Sequence, residues 1–132
     1  MIGLDSNVVI RYLVQDDASQ AAAATRLMER VLSAENPGFV TSITLCEIVW
    51  VLTDCYSADR ERVDSVLELL LGARQLVIED AEIVWQSLRD WRASRADFSD
   101  ALIGRRTLAQ GGEKTMTFDR GAAGLPGFEL LR

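Results

Sequence analysis

The chain has 132 residues, 48% hydrophobic and 26% charged, with 14 basic against 20 acidic side chains and a net charge of −6. That length suits one compact domain with its own core, and the absence of histidine removes serine–histidine triads, cysteine–histidine proteases, histidine-ligated zinc and histidine acid–base pairs. No apolar run approaches the ~20 residues of a membrane span, and the opening residues lack the basic flank and cleavage site of a secretory leader, so a cytoplasmic location is expected.

Taken in chain order, residues 1–5 form an apolar run that fits a buried strand, and 8–15 read as a helix. After Asp16-Asp17 an alanine-rich helix is expected over 18–34, followed by a turn at Asn36-Pro37-Gly38 and a short strand at 39–41. Residues 43–56 predict a helix apolar nearly all round, most of it buried. A further helix starts at Asp59, carries Val63, Val66, Leu67 and Leu70 on one face and stops at Gly72. A strand at 76–78, helices at 80–96 and 98–110, and strands at 115–118 and 128–131 complete the pattern. Helices alternating with strands argue for a single α/β domain over 1–132 with a mainly parallel sheet. Ligands in such sheets bind beyond the carboxyl ends of the strands, which directs attention to Asp5 and Asp119, each closing a predicted strand.

With no histidine, chemistry falls to carboxylates, hydroxyls and arginines. Asp5, with Ser6 and Asn7 behind it, is either a helix cap or a ligand. Glu47 stands among apolar neighbours from Ile43 to Leu52, where a buried carboxylate needs a compensating partner; Thr44-x-x-Glu47 also has the spacing of a capping box. Asp97 and Asp100 are three apart at a helix start, so they share a face, and they also suit a cap and a first-turn acid. Asp119 closes Thr115-Met116-Thr117-Phe118-Asp119, with Thr117 able to orient a water or phosphate or merely to pack.

Four segments each deliver an acid where an α/β fold gathers its loops. Clustered carboxylates repel one another without a cation, and hard oxygen donors suit Mg²⁺, with Mn²⁺ as a substitute. Such a metal polarises a phosphodiester and lowers the pKa of water, which permits hydrolysis without histidine. Setting the five acids aside leaves 15 acidic against 14 basic residues, 13 of the latter arginine; arginine forks match phosphate oxygens.

The remaining features read as structural. Asp16, Asp17, Asp59, Glu79 and Asp80 precede helices as caps, Arg89, Arg92 and Arg95 form a solvated face or else touch phosphate, Trp50, Trp85 and Trp91 are core or interface, and Cys46 and Cys55 are expected as small buried hydrophobes.

Together, Ile2-Gly3-Leu4-Asp5-Ser6-Asn7, 42–47 followed by Ile48-Val49-Trp50, 96–103 and 115–119 resemble the PIN domain, specifically VapC-type ribonuclease toxins of bacterial toxin–antitoxin pairs. The resemblance implies a three-layer α/β/α sandwich around a short, mainly parallel sheet. It implies a metal-dependent endoribonuclease with acids at Asp5, Glu47, Asp100 and Asp119 and with Asp97 in the cluster. Asp5 and Asp100 are expected to touch metal directly, supported by Ser6, Asn7 and Thr117. Ser6 stands where the family more often has threonine. An RNA substrate, a homodimer and a cognate antitoxin covering the acidic pocket are also implied. Two other classes compete: a Mg²⁺-dependent phosphoryl-transfer protein, which would want a second acid where Asn7 stands or a phospho-acceptor ending a middle strand, and a non-catalytic module of the same fold.

Overall fold

A computed structural model describes all residues, Met1–Arg132. It is a mixed α/β protein with six α-helices and short parallel sheets, as expected. The chain divides into two compact units, Met1–Glu79 and Asp80–Arg132.

In the first unit, β1 (Ile2–Gly3), β2 (Gly38–Val40) and β3 (Leu76–Ile78) pair in that order, all parallel, with Gly3 opposite Phe39 and Val40 opposite Ile78. Parallel neighbours need crossovers; α1 (Ser6–Val14) and α2 (Ala18–Arg26) supply the first, α3 (Ser42–Cys55) and α4 (Arg60–Gly72) the second. Gly38 belongs to the central strand rather than to the expected turn. A Cβ there would lie 2.7 Å from Leu4 Cδ1 and 2.9 Å from Leu32 Cδ1, so its lack of a side chain lets two leucines close over the strand.

Caps set the helix starts. The carboxylate of Asp17 accepts from the Gln20 N–H, that of Asp59 from the Arg62 N–H, and the Thr41 hydroxyl from the Thr44 N–H. Val63, Val66, Leu67 and Leu70 form the buried stripe of α4. The helix expected over 18–34 is shorter: after Arg26 the backbone widens into a π turn at Leu27–Val31, and Leu32 becomes extended. The reason is Leu32 itself, 6% exposed, which leaves the helical path to reach the core over Gly38.

The expectation of a mostly buried 43–56 helix also needs correction. Leu45, Ile48 and Leu52 are buried, but Ile43 and Trp50 are 76% and 61% exposed. A helix has only one core-facing stripe, and the apolar residues of α3 exceed what its stripe can hold.

In the second unit, α5 (Ala81–Arg92) packs on α6 (Phe98–Ala109). Trp91 meets Phe98 edge to face with ring centroids 6.3 Å apart, and Arg105 grips both oxygens of Asp90 at 2.6 and 2.9 Å. α5 ends at Arg92, short of the expected residue 96. Ser94 Oγ donates to the Trp91 carbonyl and accepts from the Ala96 N–H, bonds that stand in for a further helical turn. Beyond α6, β4 (Thr115–Thr117) and β5 (Phe128–Leu130) pair in parallel, joined through a single 3₁₀ turn at Ala122–Gly124. The five strands thus pair in two groups, where one sheet was expected. Strands of two or three residues form ladders of only a few bonds, and each group closes on its own.

Candidate active site

Asp5 follows β1 and occupies the N-cap of α1. Its Oδ1 accepts from the N–H groups of Asn7 and Val8, at 2.9 and 3.3 Å, while Oδ2 makes no hydrogen bond. Asp119 is held in the same way beyond β4. Its Oδ1 accepts from the Gly121 N–H at 2.8 Å, and its own N–H donates to Thr117 Oγ1 at 3.0 Å. Thr117 therefore positions Asp119. In both aspartates Oδ1 fixes the side chain and Oδ2 makes no hydrogen bond.

Asp97 takes the N-cap position of α6, yet its side chain makes no capping bond. It has no ion pair either, and neither have Asp5, Glu47, Asp100 and Asp119. Asp100, one turn into α6, is half-buried. Burial, then the charges of Asp97 and Asp119, push its carboxyl above the ordinary aspartate value, against a smaller opposing pull from the Asp97 backbone. Asp97 and Asp119 thus both act on Asp100, and none of the three is paired with a basic side chain.

Glu47 is exposed, not buried as expected. The true cap of α3 is Thr41, so the Thr44–Glu47 capping box does not form. Glu47 projects from the helix interior on the same exposed side as Ile43 and Trp50, with no structural bond of its own. No hydrogen bond joins it to Asp5 within the first unit. Asn7 is exposed and Ser6 half-buried at the start of α1.

These acids, none of them in an ion pair, offer hard oxygen donors of the kind that suit a divalent cation. As placed, no three of the chain's acids stand close enough together to hold a metal ion. In donor chemistry, though not in spacing, the carboxylates suit such an ion, whose positive charge would offset the repulsion felt at Asp100.

Of the acids read as caps, Asp17 and Asp59 are caps. Glu79 instead accepts from the Ser42 N–H at 2.8 Å, at the start of α3 rather than of the helix that follows it, and Asp80 stands at the N-cap of α5 but makes no capping bond and pairs with Arg106 at 2.9 Å. Arg89, Arg92 and Arg95 are exposed. Trp91 is buried in the core.

One group went unread in the sequence. Asp16 is no cap; it pairs with Arg11 at 3.0 Å and accepts from the Tyr56 hydroxyl at 2.7 Å. Arg11 also donates to Gln20 Oε1 and Tyr56 Oη. The Tyr56 hydroxyl bond, and then the charge of Arg11, hold the Asp16 carboxyl below its ordinary value, and the same network raises Arg11. The available signal was a lone charge inside the apolar run Val8-Val9-Ile10-Arg11-Tyr12-Leu13-Val14, the same argument that singled out Glu47.

No helix is long and apolar enough to cross a membrane. The family model described as PIN domain matches residues 2–126, a span that takes in all five acids. No curated protein matches the chain.

Proposed function

The chain belongs to the PIN domain family, whose members are generally metal-dependent nucleases, and we propose that it is a Mg²⁺- or Mn²⁺-dependent endoribonuclease acting as the toxin of a toxin–antitoxin pair. The carrying observation is the set Asp97, Asp100 and Asp119: burial, then the charges of Asp97 and Asp119, bear on Asp100, and none of the three has an ion pair. A structural set of acids would have capped a helix or paired with arginine, as Asp59 and Asp90 do.

In this reading Asp5 and Asp100 hold the cation, Glu47, Asp97 and Asp119 complete the acidic set, and Ser6, Asn7 and Thr117 support them. The bound cation supplies positive charge to the phosphodiester and lowers the pKa of water. The residues do the rest. Water attacks phosphorus and gives a proton to a carboxylate oxygen, the bond to the 3′ oxygen breaks, and that oxygen takes a proton from solvent, leaving a 5′-phosphate and a 3′-hydroxyl. Asp5 and Asp119, each fixed through Oδ1, offer Oδ2 without further reorganisation.

The substrate is single-stranded or loop RNA in the cytoplasm, and residues 1–132 are read as one domain, a reading that the family match over residues 2–126 supports. A homodimer completes the reading. A cognate antitoxin holds the acids silent.

The test is cleavage of total cellular RNA by purified protein, with Mg²⁺ or Mn²⁺ against EDTA and with Asp100→Asn alongside. Discrete fragments that need metal and vanish in the variant support the reading. A folded Asp100→Asn protein that cuts as well as wild type would overturn the assignment.

A further inference from the structure

Helices α1 and α2 border a cleft of about 340 Å³. Asp5 and Asn7 line one part of it, Arg11 and Gln20 another, and Val8 and Leu27 contribute apolar wall. Arg11 follows Asp5 by six residues, about 9 Å along the axis of α1, and lies one turn beyond Asn7 on the same side.

Arg11 is unusually fixed for a side chain 29% exposed. Its Nε donates to Gln20 Oε1 at 2.7 Å, and Nη1 donates to Asp16 Oδ1 at 3.0 Å and to Tyr56 Oη at 3.1 Å. A guanidinium has five N–H donors. Those three bonds leave Nη2 with both of its hydrogens unspent. Tyr56 in turn donates to Asp16 Oδ2, closing a ring that restrains all three groups.

We propose that Arg11 is a phosphate-binding residue of the RNA site, gripping through Nη2 a phosphate that flanks the one being cut. The proposal rests on the nuclease reading of Asp5 and goes beyond it, because it names where the strand is held. A guanidinium already ordered by three partners loses little entropy on binding, and its planar fork matches phosphate oxygens. The apolar walls displace water beside the bond and strengthen it. Asp16 balances the charge of Arg11, so the site offers two directed N–H groups rather than a basic patch. That suits a chain whose net charge is −6. Free phosphate and an acidic peptide lack an adjoining phosphodiester to place at Asp5, whereas a polynucleotide strand, RNA in this reading, uses both parts of the cleft.

A residue that merely clipped α1 to its neighbours would affect stability and leave substrate affinity alone. The experiment therefore reads KM and kcat separately on a short RNA that the wild type cuts, at a temperature well below every variant's melting point. It also reads binding of the labelled RNA in an Asp100→Asn background. Arg11→Gln is expected to raise KM and weaken binding by about tenfold or more, with kcat changed less than about threefold. Tyr56→Phe, which leaves Arg11 two of its three restraints, is expected to raise KM by a smaller factor. If Arg11→Gln does not fold, Arg11→Lys keeps the charge and loses the fork, and its KM is read instead. An unchanged KM and RNA affinity in a folded Arg11 variant overturn the proposal while leaving the nuclease reading intact. A wild type that neither binds nor cuts RNA overturns both.

Discussion

Asp97 and Asp100 occupy the N-cap and third position of α6, with the Asp100 N–H donating to the Asp97 carbonyl at 3.1 Å, so two carboxylates are held one turn apart with neither spent on an ion pair. Their repulsion is a cost that folding bears. Because the folded Asp100 carboxyl is pushed above its ordinary value by burial and by its neighbours' charges, its ionised form at neutral pH opposes folding. A divalent cation reverses that sign. Adding Mg²⁺ or Mn²⁺ is therefore expected to raise the melting temperature, by an amount equivalent to about 2.7 kcal/mol at a hundredfold excess over Kd. Asp100→Asn is expected to be at least as stable as wild type in EDTA and to lose most of the response to metal. Thermal melts with and without each ion check this; a variant that responds as wild type does places the cation elsewhere.

Glu47→Gln separates function from folding. The side chain is exposed, lies inside α3 and caps nothing. Substitutions at such positions ordinarily shift stability by no more than about 0.5 kcal/mol. Cleavage is nevertheless expected to fall by at least about tenfold, since the acid serves no structural purpose. Activity within twofold of wild type would remove Glu47 from the site.

Legibility in the sequence followed the range of the forces involved. The strand Leu76–Ile78 and the helix from its Asp59 cap to Gly72 were readable because β-branched runs, a cap and a glycine stop act within a few residues. The end of α2 was not, because Leu32 leaves the helix to meet Gly38, a contact that exists only once β2 is placed. Glu47 was misjudged for a similar reason: the sequence around it is apolar on every side, and only packing selects which stripe of α3 is buried. The acids themselves were legible as types at strand ends and a helix start. That Asp97 forgoes its capping bond, and that Asp5 keeps Oδ2 free, depends on side-chain geometry that no spacing encodes.

Acid stability should carry the signature of Asp16. Its folded carboxyl lies below the ordinary value of 3.8, chiefly through the Tyr56 hydroxyl bond and then through Arg11. A depressed carboxylate contributes stability above its unfolded pKa and loses it as pH falls through the folded one. Tyr56→Phe is therefore expected to melt below wild type at pH 7, with the gap narrowing as pH drops beneath 3.8. Since Asp16 is exposed, the gap should also shrink in high salt. Melting curves from pH 7 to strongly acid conditions decide it; a gap that stays constant would mean that Tyr56 acts through packing alone.

Gly104 offers a test of how the second unit supports Asp119. It is buried within α6, where helix propensity alone would favour alanine by about 1 kcal/mol. An added Cβ, however, would run into Cε1 of Phe128, with Cδ1 and Cζ of the same ring at 3.3 Å. Phe128 opens β5 opposite Thr115, and the same ladder sets Thr117 opposite Leu130. Thr117 accepts the Asp119 N–H, so a displaced ring disturbs the strand that positions the acid. Gly104→Ala is accordingly expected to destabilise by about 1–3 kcal/mol despite its better propensity, and to lower cleavage in the fraction that remains folded. Combining it with Phe128→Leu should recover part of the loss, giving a favourable coupling in a double-mutant cycle. If Gly104→Ala instead raises stability by the propensity increment, then the ring yields freely, and Asp119 does not depend on the packing of α6 against β5.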